Sequence, residues 1–332
     1  MIALKREHLV DLVGMDEVIE TTENAFELFA EGLTHTPQRT SVKLGDRGQV
    51  LYMPCLLEPS ERESMIGLKL YTEVSENSKK GLPMAHAGVL LVNGSNGKPS
   101  AFMEGMYLTG LRTGAVSAVA GKYLLPEKPK SLGLIGAGFQ GYFQIWALSR
   151  VRNFEEIRIY DPSGEQMEEL SRRLKRHLNL TVILHESSAS LVKSSDVLVT
   201  ATSSTKPVLD GKYLRSGATV FAIGSYNPGS RELGTEVVRN SEIYIDSRDA
   251  ALSEAGDLLI PLQAGDICED DICGDLAQLV SGEIPGRTDV GGSYLFKAVG
   301  LAFEDLAVAQ LVYSKAIDKG VGTTLDLFSF KE

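Results

Sequence analysis

The chain has 332 residues, enough for two domains of ~100–200 residues each. Hydrophobic residues at 43% and charged residues at 23% are ordinary globular usage and exclude disorder as the main state. Lys and Arg number 33 against 44 Asp and Glu, and the net charge of −11 argues against a nucleic-acid binder, which needs a basic face to displace counterions.

The first clear helical pattern is Met15–Glu31, where Val18, Ile19, Thr22, Ala25, Phe26 and Phe29 share a stripe, Asp16 and Glu17 occupy the first turn, and Gly32 takes the C-terminal cap. From Arg39 to Val92 the pattern changes to short apolar runs, Ser41–Leu44, Val50–Pro54, Ile66–Tyr71 and Ala87–Val92, separated by polar or Gly-containing turns, which predicts a mostly antiparallel sheet. Gly94–Lys98 reads as a turn and Ala115–Tyr123 as a small-residue helix connecting two domains.

The middle of the chain alternates apolar runs with amphipathic stretches. The runs are Leu132–Ile135, Ile157–Tyr160, Thr181–Leu184, Val197–Thr200, Thr219–Ile223 and Ile243–Ile245, and the helices between them are Tyr142–Val151, Gly164–Leu178 and Ser188–Lys193. Continuous apolar runs mark strands buried on both faces, and their alternation with helices predicts parallel βαβ units, here a six-stranded doubly wound sheet. A Gly-rich stretch, with Gly286, Gly291 and Gly292, precedes one long helical pattern in Leu295–Lys319, whose stripe is Val299, Ala302, Phe303, Leu306, Ala307 and Leu311.

The sharpest motif is Gly136-Ala137-Gly138-Phe139-Gln140-Gly141. It directly follows the strand Leu132–Ile135 and opens a helix, and an acid, Asp161, closes the next strand about 20 residues on, which is the context of a dinucleotide-binding fingerprint. Gly136 serves the tight turn, Gly138 lets backbone approach a pyrophosphate, and Gly141 lets helix and strand pack closely, with free N–H groups at the helix start facing the anion. Asp161 would accept from the adenosine ribose hydroxyls and repel a 2′-phosphate, which favours NAD(H) and leaves NADP(H) open. Thr202, Ser203 and Ser204 follow the fourth strand and Gly224 and Ser225 end the fifth, at carboxyl ends where such sheets bind ligands.

Other patterns point elsewhere or nowhere. Cys55, Cys268 and Cys273 make no disulfide framework and no zinc spacing, so a reducing compartment is expected. The acidic run Asp266, Glu269, Asp270 and Asp271 fits no zinc or calcium pattern and reads as a solvated loop, so no metal is expected. The N-terminus lacks an apolar core of signal-peptide length, no run approaches the ~18–20 residues of a membrane span, and neither HExxH nor GxSxG occurs. The expectation is a cytoplasmic protein with no membrane or nucleic-acid partner.

An ordered set of short motifs runs through nearly the whole chain: Pro37-x-Arg39, Met53-Pro54, Gly67-Leu68-Lys69, Leu111-Arg112-Thr113-Gly114-Ala115, the Gly136–Gly141 loop, Gly224-Ser225-x-x-Pro228-Gly229-x-x-Glu232-Leu233 and Gly300-Leu301-Ala302-x-x-Asp305. Together these resemble the ornithine cyclodeaminase/μ-crystallin family, which also includes alanine dehydrogenases and ketimine reductases. The resemblance implies an α/β homodimer: a mixed α+β substrate-binding and dimerisation domain, residues 1–118 and 296–332, and a Rossmann domain, residues 119–295. It implies that Arg39 and Arg112 clamp a substrate carboxylate with forked guanidiniums, that Lys69 stands beside the reacting carbon as proton relay or electrostatic partner, and that Arg112 and Thr113 contact the cofactor.

Two departures bear on the substrate. Tyr226 stands where cyclodeaminases carry the Asp that handles the distal amine of ornithine, and a phenol, with pKa near ~10, is a poor base. Gly81-Leu82-Pro83 leads to Met84 and His86 instead of the usual Thr and Gln, and His86 becomes a second candidate proton donor. The expected activity is reduction of the C=N bond of a small cyclic imino acid, Δ1-pyrroline-2-carboxylate or Δ1-piperideine-2-carboxylate. The alternatives are alanine dehydrogenase, ornithine cyclodeaminase and a non-catalytic ligand-binding protein.

Overall fold

In the computed structural model the described residues are 1–58, 64–288 and 291–327, so residues 59–63, 289–290 and 328–332 of the two expected domains lie outside them. The chain divides into two compact units, Met1–Arg112 with Leu301–Glu332, and Thr113–Gly300.

The first unit opens with β1 (Ile2–Leu4), α1 (Arg6–Leu12) and α2 (Met15–Ala30). Strands β2 (Thr34–His35), β3 (Thr40–Lys43), β4 (Gly48–Leu57), β5 (Met65–Val74), β6 (Ala85–Asn93) and β7 (Pro99–Glu104) follow, and α3 (Gly105–Leu124) begins. The sheet order is β16-β1-β7-β6-β5-β4-β2, with β3 also on β4; β16 (Thr323–Thr324) comes from the chain's return after α11 (Ala302–Lys319). All pairs are antiparallel except β1 with β7. The four apolar runs read between Arg39 and Val92 are thus β3 to β6, in antiparallel register. One face of this sheet carries the buried Met53, Cys55, Met65, Gly67, Lys69, Val89 and Leu91 and packs on α11. Phe303 of α11 meets Phe26 edge-on and stacks on Phe29 of α2, both at 5.0 Å, pairs worth ~0.5–1.5 kcal/mol each beyond their buried area.

The second unit is an eight-stranded, wholly parallel sheet in the order β10-β9-β8-β11-β12-β15-β13-β14. Its elements are β8 (Ser131–Ile135), α4 (Phe139–Val151), β9 (Glu156–Tyr160), α5 (Gly164–Leu178), β10 (Val182–Leu184), α6 (Ser188–Ser194), β11 (Val197–Thr200), β12 (Thr219–Ala222), α7 (Thr235–Arg239), β13 (Ser241–Ile245), α8 (Arg248–Glu254), α9 (Gly256–Ala264), β14 (Ile272–Asp275), α10 (Leu276–Val280) and β15 (Ser293–Lys297). The six strands expected are present in parallel. Two more are added, β14 and β15, and β15 takes residues 295–297 out of the expected long helix, which starts only at Ala302. The continuous apolar reading holds because β8, β11 and β12 are buried at every residue. Helix α5 shows how local chemistry fixes an element: the Ser163 hydroxyl accepts from the Gln166 N–H, Lys175 and Arg176 fill the last turn, and Asn179 closes it in the left-handed conformation at φ 54°.

Candidate active site

In the first unit the site is built by one strand, one helix start and one helix interior. The alternation of β5 puts Lys69 on the buried face with Met65 and Gly67. A Cβ on Gly67 would lie 2.7 Å from Leu306 Cδ1, so glycine leaves room for the Leu306 side chain of α11 to pack directly on β5. That approach brings Asp305 to Lys69, whose Nζ donates to both carboxylate oxygens at 2.9 and 3.0 Å. Helix α3 is started by Glu104, which accepts from the N–H groups of Met106 and Tyr107, each at 2.8 Å, and it carries Arg112 to the same acids. Arg112 Nε donates to Asp305 at 3.2 Å and Nη1 to Glu304 at 2.6 Å. Lys69, Arg112, Glu304 and Asp305 are all buried, between 0% and 6% exposed.

These charges set one another's protonation. Burial pushes the Lys69 ammonium down to about 8, with Arg112 and Arg39 assisting and Asp305 resisting. Burial also opposes the charge of Arg112, but Asp305 and Glu304 outweigh it and hold its pKa above the ordinary guanidinium value. The structure therefore joins Lys69 and Arg112 through Asp305, and the charge of Arg39 is also felt at Lys69. It does not bring His86 with them. Thr72 is the cross-strand partner of His86 and Val89 that of Lys69, an odd offset along both strands, so His86 points from the opposite face and is exposed. His86, the second candidate proton donor, therefore does not share a face of the sheet with Lys69.

In the second unit a cavity of about 860 Å³ opens at the carboxyl ends of β8, β9 and β11. Gly136, Gly138, Asp161, Thr202 and Ser203 line it, together with Tyr160, Gln166, Ser188 and Tyr213. Gly136 turns at φ 106°, and a Cβ there would meet the Ala201 carbonyl at 2.6 Å. Gly138, by contrast, has no atom within 4 Å of an added Cβ, leaving bare backbone at the start of α4. Gly141 packs on the strand instead, its Cβ position 2.8 Å from Leu134 Cδ2. Asp161 accepts from the Ala137 N–H at 2.9 Å and the Ser163 N–H at 2.8 Å, one to each oxygen, and each oxygen retains a lone pair for a further donor. A Gly-rich turn into a helix start, facing open space beside an oriented carboxylate, has the chemistry to hold a dinucleotide by pyrophosphate and ribose.

The other expected cofactor residues are placed differently. Ala137, Phe139, Gln140 and Gly141 belong to the turn and the first turn of α4 and do not line the cavity. Thr113 lies on α3, and its hydroxyl and Gln140 Oε1 are buried without a partner among the described residues. Gly224 and Ser225 are not in the cavity wall either: the Gly224 N–H donates to Glu232 at 2.7 Å and the Ser225 hydroxyl to the Ser230 carbonyl at 2.6 Å. Tyr226 packs against the apolar cluster formed by Leu258, Ile245 and their neighbours. Sequence reasoning assigned no role to Glu304, Asp305, Glu232, Asp257 or Lys297. For three of them the signal is a charged residue inside an apolar run, Lys297 in Tyr294–Lys297 and Glu304 and Asp305 between Phe303 and Leu306, whereas Glu232 and Asp257 lie in polar or Gly-containing stretches with no such signal.

No group of three or more His, Cys, Asp or Glu among the described residues is arranged to hold a metal, and no described helix is long and apolar enough to cross a membrane. Comparison with known proteins adds a consistent result. The profile of the ornithine cyclodeaminase/mu-crystallin family matches residues 2–320. A Delta(1)-pyrroline-2-carboxylate reductase of Bacillus cereus is 34% identical over 328 residues, 98% of this chain and 100% of that protein. The structure of Thermococcus litoralis Delta(1)-pyrroline-2-carboxylate reductase in complex with NADH and L-proline superposes with a TM-score of 0.95 at 39% identity, over 98% of this chain and 100% of that one. An archaeal alanine dehydrogenase dimer with bound NAD gives 0.92 at 31% identity, over 99% of each chain. With the profile spanning both units and relatives matched from end to end, the chain belongs to the ornithine cyclodeaminase/mu-crystallin family.

Proposed function

We propose that the protein is an NAD(H)-dependent reductase of a small cyclic imino acid, Δ1-pyrroline-2-carboxylate or its six-membered analogue. The observation that carries this reading is the buried Lys69–Asp305–Arg112 cluster, which puts a lysine with a pKa of about 8 beside a guanidinium. Relatives that reduce pyrroline-2-carboxylate support it.

The residues divide the work as follows. Arg39 and Arg112 bind the substrate carboxylate. With Nε and Nη1 committed to Asp305 and Glu304, Arg112 meets it through Nη2. Lys69 holds a proton at neutral pH and can release it, which suits a group that keeps the imine nitrogen protonated so that its carbon is electrophilic. Bound NADH supplies the hydride. Gly136, Gly138 and Thr202 hold the pyrophosphate side of the cofactor, Thr113 offers its unpartnered hydroxyl, and Asp161 takes the ribose hydroxyls and disfavours a 2′-phosphate. The first unit thus serves as the substrate domain and the second as the Rossmann domain.

The exposed face of the first unit's sheet carries Val42, Tyr52, Ile66, Leu68, Leu70 and Phe102, each at least 36% exposed, and this apolar face is read as the docking surface of a second copy. Leu68→Asp should then yield a monomer in analytical ultracentrifugation; a wild-type monomer would refute the dimer.

The activity test is a panel of preformed Δ1-pyrroline-2-carboxylate, Δ1-piperideine-2-carboxylate, pyruvate with ammonium, and ornithine, each with NADH and NADPH. Turnover of a cyclic imine with NADH is expected. Preference for pyruvate with ammonium would make the protein an alanine dehydrogenase, conversion of ornithine to proline without net redox change a cyclodeaminase, and no turnover at all would leave only ligand binding; each of these overturns the proposal.

A further inference from the structure

Beneath the cavity of the second unit lies a buried polar network that the proposed reaction does not use. Glu232 is fully buried and accepts four hydrogen bonds. Oε1 takes the Thr202 N–H at 2.6 Å and the Thr202 hydroxyl at 2.7 Å, and Oε2 takes the Gly224 N–H at 2.7 Å and the Thr200 hydroxyl at 2.9 Å. Its own N–H and that of Leu233 donate to Asp257 Oδ1 at 2.7 and 2.9 Å, and Asp257 pairs with Lys297 at 3.0 Å. Burial and Asp257 disfavour the Glu232 charge and Lys297 supports it. A carboxylate at such depth is costly, and a neutral amide would supply only one acceptor oxygen where two are used.

What these bonds fix is the cavity wall. Because the Thr202 hydroxyl donates to Glu232, its lone pair faces the Ser204 N–H, which donates to it at 3.2 Å. The same anchoring presses Thr202 Cγ2 against the fingerprint turn, 2.9 Å from where a Gly136 Cβ would be. We infer that Glu232 is a positioning residue for the dinucleotide: it ties the ends of β11 and β12 together and sets Thr202–Ser204 as the wall facing the Gly136 turn. This rests on the dinucleotide reading of the cavity.

The test is NADH affinity, measured by fluorescence titration, alongside melting temperature for Glu232→Gln, Thr202→Val and Thr200→Val. The positioning role predicts a tenfold or greater rise in the NADH Kd for E232Q, with its kcat at saturating NADH changed less than threefold, and a several-fold rise in the NADH Kd for T202V. T200V removes a bond to the same carboxylate away from the wall, so it should lower the melting temperature while leaving the NADH Kd within twofold. A folded E232Q with wild-type affinity overturns the inference, and so does loss of affinity in all three variants in proportion to their loss of stability, which marks a merely structural role. If E232Q does not fold, T202V decides, and wild-type affinity there overturns the inference. Wild-type protein that binds neither NADH nor NADPH refutes the dinucleotide reading itself.

Discussion

Replacing Asp305 with Asn tests the cluster at its hinge. The Asp305 carboxylate accepts both bonds of the Lys69 ammonium, at 2.9 and 3.0 Å, and one from Arg112 Nε at 3.2 Å, with all three groups buried. Asn keeps one acceptor oxygen but removes the charge and turns a donor toward the cations. Breaking a buried pair from one side costs ~3–5 kcal/mol, because the remaining charge stays out of water; since Asn retains part of the bonding, the lower end, ~3 kcal/mol, applies. At ~2–4 °C per kcal/mol for a protein of this class, the melting temperature should fall by roughly 6–12 °C. The substitution also removes the group that holds the Lys69 pKa up, so that pKa drops below about 8. Folding lowers the Lys69 pKa from 10.5, so between about 8 and 10.5 the unfolded chain binds the extra proton and this group's contribution to stability rises with pH. Calorimetry across that range and a pH profile of kcat/KM for the cyclic imine are the assays. Wild type should lose kcat/KM as pH rises through about 8, and D305N should lose it at lower pH. A D305N protein with a melting temperature within about 2 °C of wild type and an unmoved alkaline limb would refute the coupling of Asp305 to Lys69.

Two further substitutions probe the remaining assignments. Asp161→Ser removes the acceptor that holds the Ala137 and Ser163 N–H groups and the charge that repels a 2′-phosphate, so NADH should bind about tenfold more weakly while NADPH gains relative to it; unchanged NADH-to-NADPH preference in fluorescence titrations would contradict the ribose role. His86→Asn should leave kcat within about twofold, since His86 and Lys69 occupy opposite faces of the sheet, and a hundredfold loss would restore His86 to the chemistry.

Much of this fold is readable in the sequence for a physical reason. The strands of the second unit are buried on both faces, so Leu132–Ile135 and Val197–Thr200 appear as unbroken apolar runs. The two strands that escaped carry charge or glycine: Ile272–Asp275 is ICGD, and Ser293–Lys297 ends in a lysine and abuts the apolar stripe of α11, with which it merges in a window of helical length. The first strand, Ile2–Leu4, is too short for any periodicity. At the site, Gly136, Gly138 and Asp161 were legible because a local turn holds them together. The Lys69–Asp305 and Arg112–Glu304 pairs join residues 236 and 192 positions apart, and no local pattern announces a partner at such a distance. His86 and Lys69 are separated by strand parity along the β5–β6 pair, which residue type alone does not reveal.

The most direct test of the central claim follows the hydride itself. Wild-type enzyme is given Δ1-pyrroline-2-carboxylate and NADH carrying deuterium at both C4 positions, and the product is analysed by NMR and mass spectrometry. Transfer from the nicotinamide to the imine carbon predicts proline with one deuterium on Cα and an equal amount of NAD+. Proline without deuterium, or unconsumed imine beside intact NADH, contradicts the account.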